Sequence, residues 1–513
     1  MIDNSEKMES SSEPIEKIDH SKKYKRFIIT SSVILVLSRV MSLVYIYVIT
    51  KVVDIPDKIL ATMQFMALSQ SVLISIIPFG ISYAASQWTL GEFKGKDTYL
   101  EDYYAFSIYV TLPLLIVSTL GVWIFFSTLD DISPYMGGTF SVNMILYLLA
   151  NLFAMVQQLF VKVELARYKN DVAVIINASY SILTSIFVPL IFFVFQRNLT
   201  SVLLAWVISS GIVILVNLRS QLPIIKLRVD LKLWKEMLVF SFPIYLMIIV
   251  NVVNSSVDQF FIFGSYNNSL EYIAYTWVTK LIQIGSQFSA IFLTGVYSML
   301  VILKKENMLR FHNISRSLFK IVGLIGFAIY LGMIANAYFI IDTLVPKKYA
   351  FAIEWLKILS YISILNNLVN YLVIRYQVDE KRNTILLIRV LSVVIRISIA
   401  VFLIDMKVNG LLIGIYFSSV ITVFLLVFFA EELRNWKMNH FLRYTGFAAV
   451  GMLAMYLTDH LTVWPFTNGG LIIVAILGVI IKPINDNDRN YIMKVVPVRL
   501  RKYASPFVNL ITH

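Results

Sequence analysis

The chain has no cysteine and only five histidines among its 513 residues. The first absence excludes disulfide frameworks, thiolate nucleophiles and Cys-ligated zinc or iron–sulfur centres. The histidines are not paired at helical spacing, so metal catalysis has no obvious ligand set, and no cofactor is expected. Charge is also scarce, at 15% of residues against roughly 25% in soluble domains. Acids are scarcer than bases, 31 against 44, which gives a net charge of +13. Hydrophobic residues fill the space left, at 58%, with a mean hydropathy of +0.75. This composition excludes a string of soluble domains and implies a polytopic membrane protein. The 35 Phe, 28 Tyr and 8 Trp suit interfacial aromatic belts.

Residues 1–26 are polar and mixed in charge, with neither the apolar core nor the cleavage site of a signal peptide, and read as a short disordered tail. Apolar stretches long enough to cross a ~30 Å hydrocarbon core then recur near 27–49, 61–86, 103–127, 141–163, 172–195, 200–217, 238–263, 271–301, 317–341, 352–376, 384–404, 408–430, 441–458 and 464–482. These are about fourteen helices, since runs such as Leu411 to Ala430 lack the alternation of barrel strands. Of the 44 Lys and Arg, 33 fall in the tails and breaks on the side of the N-terminus and six in the breaks opposite. The positive-inside rule then places both termini in the cytoplasm of a multi-pass cell-membrane protein. The +13 is mostly this asymmetry, so nucleic acid is not an expected partner.

The polar hairpins that follow the second and eighth spans, around SYAASQWTLGEFKGKDTYLEDYY and YSMLVILKKENMLRFHNISRSLF, are alike in layout. An offset of six spans preserves orientation, which implies an axis along the membrane normal. The expected fold is all-α: two six-helix lobes related by that pseudo-two-fold, at 27–217 and 238–430, joined by a cytoplasmic linker, 218–237. An extra helix pair at 431–482 and a basic tail at 483–513 complete it, in a chain read as a monomer. Pro78 with Gly80 should break or bend the second helix, and Pro243 the seventh.

Charges inside spans are expensive and mark cavities or partners. Arg39 lies twelve residues into the first span, roughly 18 Å deep, among Ser31, Ser38, Ser42 and Tyr45. It faces a central cavity, or else it snorkels or is paired internally. Asn251, Asn254, Ser255 and Asp258 form one stripe of the seventh span at i, i+3, i+4 and i+7. Asp258, with Asn254, could bind a coupling cation, or Asp258 could neutralise a base such as Lys280. That lysine belongs to a polar side of the eighth span with Thr276, Thr279 and Gln283. Arg389, Ser392 and Arg396 share a face of the eleventh. Asn366, Asn367 and Asn370 in the tenth, and Asn151, Gln157 and Gln158 in the fourth, add neutral groups. Lys357, three residues after Glu354, is close enough to a span end to reach water. The interior thus holds Arg39, Lys280, Arg389 and Arg396 against Asp258, a balance that attracts anions, and guanidinium groups hold phosphate oxygens well.

The sequence resembles the polysaccharide-transporter and lipid-linked oligosaccharide flippase branch of the multidrug/oligosaccharidyl-lipid/polysaccharide exporter superfamily. The resemblance is carried by LSRVMSLVYIYV in the first span, IPFGISYAASQWTLGEFKGK after the second, LWKEMLVFSFPIYLMIIVNVVNSSVDQFFI in the seventh and YIAYTWVTKLIQIGSQF in the eighth. VPKKYAFAIEWLKILSYISILNNLVNYLVIRYQVDEKRN in the tenth adds to it, and the likeness spans about 27 to 430. It implies that Arg39 matches a first-helix arginine of lipid II flippases, that Lys280 stands where those proteins have an eighth-helix arginine, and that Asp258 matches a seventh-helix Val/Ile-Asp motif. In that family such bases line a cavity for the diphosphate of an undecaprenyl- or dolichyl-type carrier. The second arginine of the first-helix motif is absent, with Tyr45 near its place, and Lys at 280 binds phosphate less bidentately.

The expected function is a flippase for a lipid-linked, anionic glycan, working in contact with membrane lipid by alternating access. Arg39, Lys280, Arg396, Arg389, Gln283 and Asn370 would bind substrate, with a coupling cation at Asp258 and Asn254. The alternatives are a multidrug or small-cation antiporter of the same superfamily, which generally needs an acid in the N-terminal lobe, and a membrane enzyme acting on lipid-linked glycans. No large extracytoplasmic loop is present to carry such an enzyme's catalytic groups, so no enzymatic activity is expected.

Overall fold

The computed structural model describes residues 20–53, 55–90, 98–128, 141–167, 169–195, 197–222, 229–266, 269–306, 308–379, 381–429, 438–461 and 467–484, and a few positions beyond. The first half comprises α1 (His20–Tyr47), α2 (Asp57–Ile76), α3 (Ile81–Leu90), α4 (Thr98–Phe106), α5 (Leu112–Ser127), α6 (Val142–Ala166), α7 (Asn170–Val194) and α8 (Leu199–Gln221). The second comprises α9 (Leu231–Tyr266), α10 (Ser269–Glu306), α11 (Met308–Ala335), α12 (Ala337–Leu344), α13 (Ala352–Val378), α14 (Arg382–Phe402) and α15 (Lys407–Phe429). The extra pair is α16 (Met438–Leu461) and α17 (Asn468–Ile481).

Among the described residues, ten helical segments are long and apolar enough to cross a membrane. With α1, α10, α16 and the short apolar α17 they make the fourteen spans. Large apolar side chains that would be anomalous on a soluble surface, such as Leu215, Val216, Leu387 and Phe402, are exposed, as a lipid-facing surface requires. Helix starts carry side-chain caps: Ser141 Oγ accepts from Met144 N at 3.3 Å, Asn198 Oδ1 from Ser201 N at 3.2 Å, and Asp230 Oδ1 from Leu233 N at 3.1 Å. Each satisfies one of the first N–H groups that a helix leaves unpaired.

Helix neighbours repeat with an offset of six spans. In the first half α1 packs on α7, α6 on α8, α7 on α8, and both α3 and α5 on α6. In the second, α9 packs on α14, α13 on α15, α14 on α15, and both α10 and α11 on α13. These are the two six-helix lobes. They meet where α2 contacts α9 and α10, and where α1 contacts α10 and α12.

The second span breaks where Pro78 and Gly80 stand. Phe79 has φ +52° and Gly80 φ +69°, and the turn is tied by hydrogen bonds from Phe79 N to Ile76 O, Ile81 N to Pro78 O and Tyr83 N to Gly80 O. Those bonds keep the backbone satisfied inside the membrane. Pro243, by contrast, lies within an uninterrupted α9. In the third span, a π-helical turn at Ser107–Thr111 accommodates Pro113, which cannot donate to the preceding turn. Helices also occupy both ends of the expected 218–237 linker, since α8 ends at Gln221 and α9 begins at Leu231. His20 to Arg26, expected in a disordered tail, are helical, while residues 1–19 lie outside the described residues.

The apolar core is fused on one side of the membrane and divided on the other. On the side opposite the termini a single cluster unites both lobes, through Phe65, Trp123, Trp206, Trp277, Tyr349 and Leu411 among others. On the side of the termini there are two separate clusters, one around Tyr104 and Phe160 of the first lobe, which Trp234 and Met237 of α9 join, and one around Phe319, Tyr371 and Leu426 of the second lobe. The fused side is tied across the lobes by polar contacts as well. Asp57 accepts from Lys348 Nζ at 2.7 Å and from Tyr349 OH at 2.6 Å. Thr50 Oγ1 donates to Leu344 O at 2.9 Å, and Lys51 Nζ to Asp342 O. The extra helix pair docks on the second lobe. Lys357, expected simply to reach water, bonds Asp459 of α16 at 3.0 Å as well as Glu354 at 3.1 Å. Asn336 bonds Asn468 at 3.2 Å and Thr467 Oγ1 donates to Ala335 O at 2.8 Å.

Within the second lobe, α11 and α13 approach so closely that a Cβ on Gly326 would lie 2.2 Å from Asn367 Nδ2. That amide donates to Val322 O at 2.6 Å. Gly326→Ala should therefore destabilise the protein by about 1–3 kcal/mol, read as a lower thermal midpoint of the purified protein in detergent. An unchanged midpoint would mean that the two helices separate without loss.

Candidate functional site

Two cavities flank the meeting line of the lobes. The C-lobe cavity, about 280 Å³, is lined by six of the eight residues singled out in the sequence: Asn254, Asp258, Gln283, Asn370, Arg389 and Arg396. Their spacing explains the gathering. Asn254 and Asp258 are one helical turn apart on α9, while Arg389 and Arg396 are seven residues apart on α14 and differ by only about 20° in direction. Helices α9 and α14 are neighbours, so the acid stripe and the base stripe face each other.

The acid of this site pairs with Arg396. Its Nη1 reaches Asp258 Oδ2 at 3.3 Å and also donates to the carbonyl of Asn254. Tyr275 OH of α10 donates to the same carboxylate oxygen at 3.3 Å. Both ionic partners are buried, at 7% exposure for Asp258 and 6% for Arg396. The Asp258–Lys280 pair considered from sequence is replaced by this one. Tyr275 sits opposite Asp258 across the α9–α10 turn, and Lys280, five residues on, points about 140° away around the helix. Lys280 Nζ lies instead over the Trp277 ring, 4.6 Å from its centroid, a cation–π contact.

Three atoms around the pair are buried without a hydrogen-bond partner: Asn254 Oδ1, Asp258 Oδ1 and Arg396 Nε. Such atoms in a cavity wall are places where a ligand group, ion or water completes the network. The two oxygens are what a small cation could use. Among the described residues no group of three or more His, Cys, Asp or Glu converges to hold a metal. Arg396 Nε is a donor beside Arg389, which also lines the cavity. With Arg396 matched by Asp258, the cavity keeps one unmatched positive charge, that of Arg389. Gln283 and Asn370 line it with exposed side chains.

Arg39 and Lys280 line neither cavity. Arg39 is half-buried, and its Nε is buried without a hydrogen-bond partner. The polar stripe beside it is taken up locally: Ser42 Oγ donates to Ser38 O at 2.9 Å, and Tyr45 OH lies 3.7 Å from Met63 Sδ.

The second cavity, in the N-lobe, is larger, about 450 Å³, and is lined by Gln70, Tyr103, Gln157, Gln158, Lys162 and Tyr180, with Ile248 of α9 contributed by the other lobe. Lys162, counted from sequence with the basic break after the fourth span, lies within α6, which continues to Ala166. The signal for it was the i, i+4 relation of Gln158 and Lys162, which puts both on one face. Gln70, between Ser69 and Ser71, and Tyr275, next to Thr276, had no such signal, since no spacing set either apart from its polar neighbours.

No protein-family model matches the sequence, and no curated protein sequence does. Solved structures do match in fold. The lipid II flippase MurJ in its inward-closed conformation matches with a TM-score of 0.69 at 14% identity, over 88% of this chain and 98% of that one. An inward-facing multidrug resistance MATE family transporter of the MOP superfamily matches at 0.63 and 12%, over 80% and 99%. A eukaryotic MATE transporter matches at 0.57 and 16%, over 81% and 98%. The architecture expected from the sequence, an all-α multi-pass membrane protein of two lobes, is the one these proteins share.

The buried ion pair can be tested by itself. Asp258→Ala leaves Arg396 uncompensated and should cost about 3–5 kcal/mol, seen as a fall in thermal midpoint. Asp258→Leu combined with Arg396→Met removes both charges and should recover most of that loss. A double variant as unstable as the single one would show that the pair is more than mutual neutralisation.

Proposed function

We propose that the protein is a flippase that moves a lipid-linked, anionic glycan of the polyprenyl-diphosphate type across the cell membrane by alternating access. The observation that carries this reading is the sign of the C-lobe cavity. It holds two arginines and one acid, and the acid is already neutralised by one of the arginines. What remains is a guanidinium facing a half-enclosed polar space, next to the unpartnered Nε of a second. Phosphate oxygens fit such a pair of forked donors.

The arrangement of the lobes supports alternating access. A shared apolar core and the Asp57–Lys348–Tyr349 contact seal one side, while on the side of the termini the described apolar residues form two clusters, and the start of α9 alone crosses between the lobes, to join the first. The 33 to 6 distribution of Lys and Arg assigns the divided side to the cytoplasm. A head group would enter from there while its polyprenyl tail stays in lipid, and rocking of the lobes would expose it on the other side. Arg389 and Arg396 would hold the diphosphate, Gln283 and Asn370 would bond its surroundings, and Arg39 and Lys280 would meet it along the path between the lobes. Displacement of Asp258 from Arg396 by the incoming anion would free that carboxylate, with Asn254, for a coupling cation. The fold is equally compatible with a MATE-type drug antiporter. Against a cationic drug stands the absence of any acid from α1 or from the lining of the N-lobe cavity.

Arg389→Ala should lower glycan export at least tenfold in cells that depend on this protein, with the thermal midpoint unchanged, and Arg389→Lys should retain part of it. Efflux of cationic dyes by an overexpressing strain should not rise. Full export by Arg389→Ala would remove the arginine from the mechanism, and dye efflux would favour the antiporter.

A further inference from the structure

The N-lobe cavity has no role in the charge-based reading above. It lies between α2, α3, α4, α6 and α7, and α9 closes it through Ile248. Its lining differs in chemistry from that of the C-lobe cavity. Among the described residues it contains no Asp, Glu or Arg, a single Lys, three glutamine side chains and two tyrosines. Lys162 is exposed, yet lies about 6 Å inside the end of α6 at 1.5 Å per residue. The nearest acid in sequence, Glu164, is about 200° around the helix. It is 1% exposed and accepts from Gln221 Nε2, whose own Oε1 accepts from Tyr104 OH. Glu164 is therefore engaged through Oε1 away from the cavity, which it does not line.

A second observation points to a ligand. Gln70 is 8% exposed, lines the cavity, and its Nε2 has no hydrogen-bond partner. A buried amide donor left open in a polar cavity normally meets an acceptor supplied from outside. Gln158 is half committed, with Nε2 donating to Asn177 Oδ1 at 3.1 Å. Amides that donate and accept at adjacent atoms suit the vicinal hydroxyls of a sugar ring. Tyrosine rings offer flat apolar walls to its C–H faces. A volume of about 450 Å³ lies within the ~300–1,000 Å³ range of small-molecule sites.

We infer that the N-lobe cavity is a saccharide subsite whose single lysine, Lys162, selects a sugar carrying one anionic group, such as a uronic acid. It rests on the flippase reading for its biological sense: the lipid diphosphate sits at the arginines of the C-lobe while sugars of the same head group occupy the N-lobe. Because Ile248 belongs to the other lobe, movement of α9 would open or close the subsite, so that sugar binding and lobe position are linked.

The test measures binding of cellobiose and cellobiouronic acid by saturation-transfer NMR to the full-length protein in phosphatidylcholine nanodiscs, which carry no net lipid charge. Cellobiouronic acid should bind about tenfold more tightly than cellobiose, the size of one charge-assisted hydrogen bond. Lys162→Met should abolish the difference, Lys162→Arg should keep it, and Gln70→Leu should weaken both sugars. Inorganic pyrophosphate, the probe for the arginine site, should not displace the disaccharide. Equal binding of the two sugars, no binding of either, an undiminished preference in Lys162→Met, or displacement by pyrophosphate would each overturn the subsite. None of these results touches the export defect expected of Arg389→Ala. Conversely, full export by Arg389→Ala with the lysine-dependent preference intact would leave a sugar site in a protein that is not a diphosphate flippase.

Discussion

An ionised side chain in the interior of a bilayer is tolerated only when it is paired, hydrogen-bonded or in contact with water, and this constraint sorts the charged residues of the protein into two kinds. Some are matched. Asp258 meets Arg396, Lys357 meets Asp459, and Arg375 meets Asp379. Each pair also fixes structure: the first binds α9 to α14, the second fastens α16 to α13, and the third closes the last turn of α13 on itself. Others are not: Arg389 in one cavity and Lys162 in the other face open polar space, while Lys280 rests on the Trp277 ring and Arg39 is half-buried on α1. A matched charge holds helices together, and an unmatched one needs a cavity, an aromatic face or a reach to the surface.

The same sorting accounts for the asymmetry of the two sides. Apolar contact can fuse the lobes only where no charge must be kept in water, and the fused side is built from aromatic rings: Phe65 stacks on Phe263 at 3.9 Å and meets Phe126 and Phe260 edge-on or tilted at 5.2 and 5.4 Å. Its polar ties, Asp57 with Lys348 and Tyr349, lie at helix ends. A partly exposed ion pair of this kind is worth little in stability and can exchange its partners for water, so the seal is strong in its apolar layer and loose at its rim. In the transport reading, opening this side needs that combination.

Much of the fold was legible because membrane spans are declared by composition alone. Fourteen apolar runs, the break at Pro78 and Gly80, and the stripes at 251–258 and 389–396 follow from length, backbone chemistry and the 3.6-residue period. The partner of Asp258 was not legible. Periodicity fixes which residues of one helix share a face, but not which face of the next helix it meets, and that phase is set by packing. Lys280 was adjacent in the hairpin yet turned away, while Arg396, 138 positions further on, was brought in by the α9–α14 contact. Lys162 was misplaced for a related reason: a base four residues from a helix end reads as part of the loop, and only the neighbouring helices reveal that it faces inward. Gln70 became informative through what it lacks, a hydrogen-bond partner, and no sequence pattern records that.

Helix α9 is where these observations converge. It touches α2 and α3 of the first lobe and α14 of the second, and it contributes Ile248 to one cavity and Asn254 and Asp258 to the other. From Ile248 to Asn254 is about 9 Å along the helix. In the transport reading, an anion that competes with Asp258 for Arg396 weakens the tie between α9 and α14, and any shift of α9 moves Ile248 against the N-lobe cavity. The two sites then communicate through one rigid element and need no longer chain of contacts. The coupling can be no larger than the difference in ligand affinity between the two positions of that helix. A single buried ion pair with one 3.3 Å contact to its carboxylate, rather than a tight bidentate clamp, keeps that difference within reach of a phosphate group.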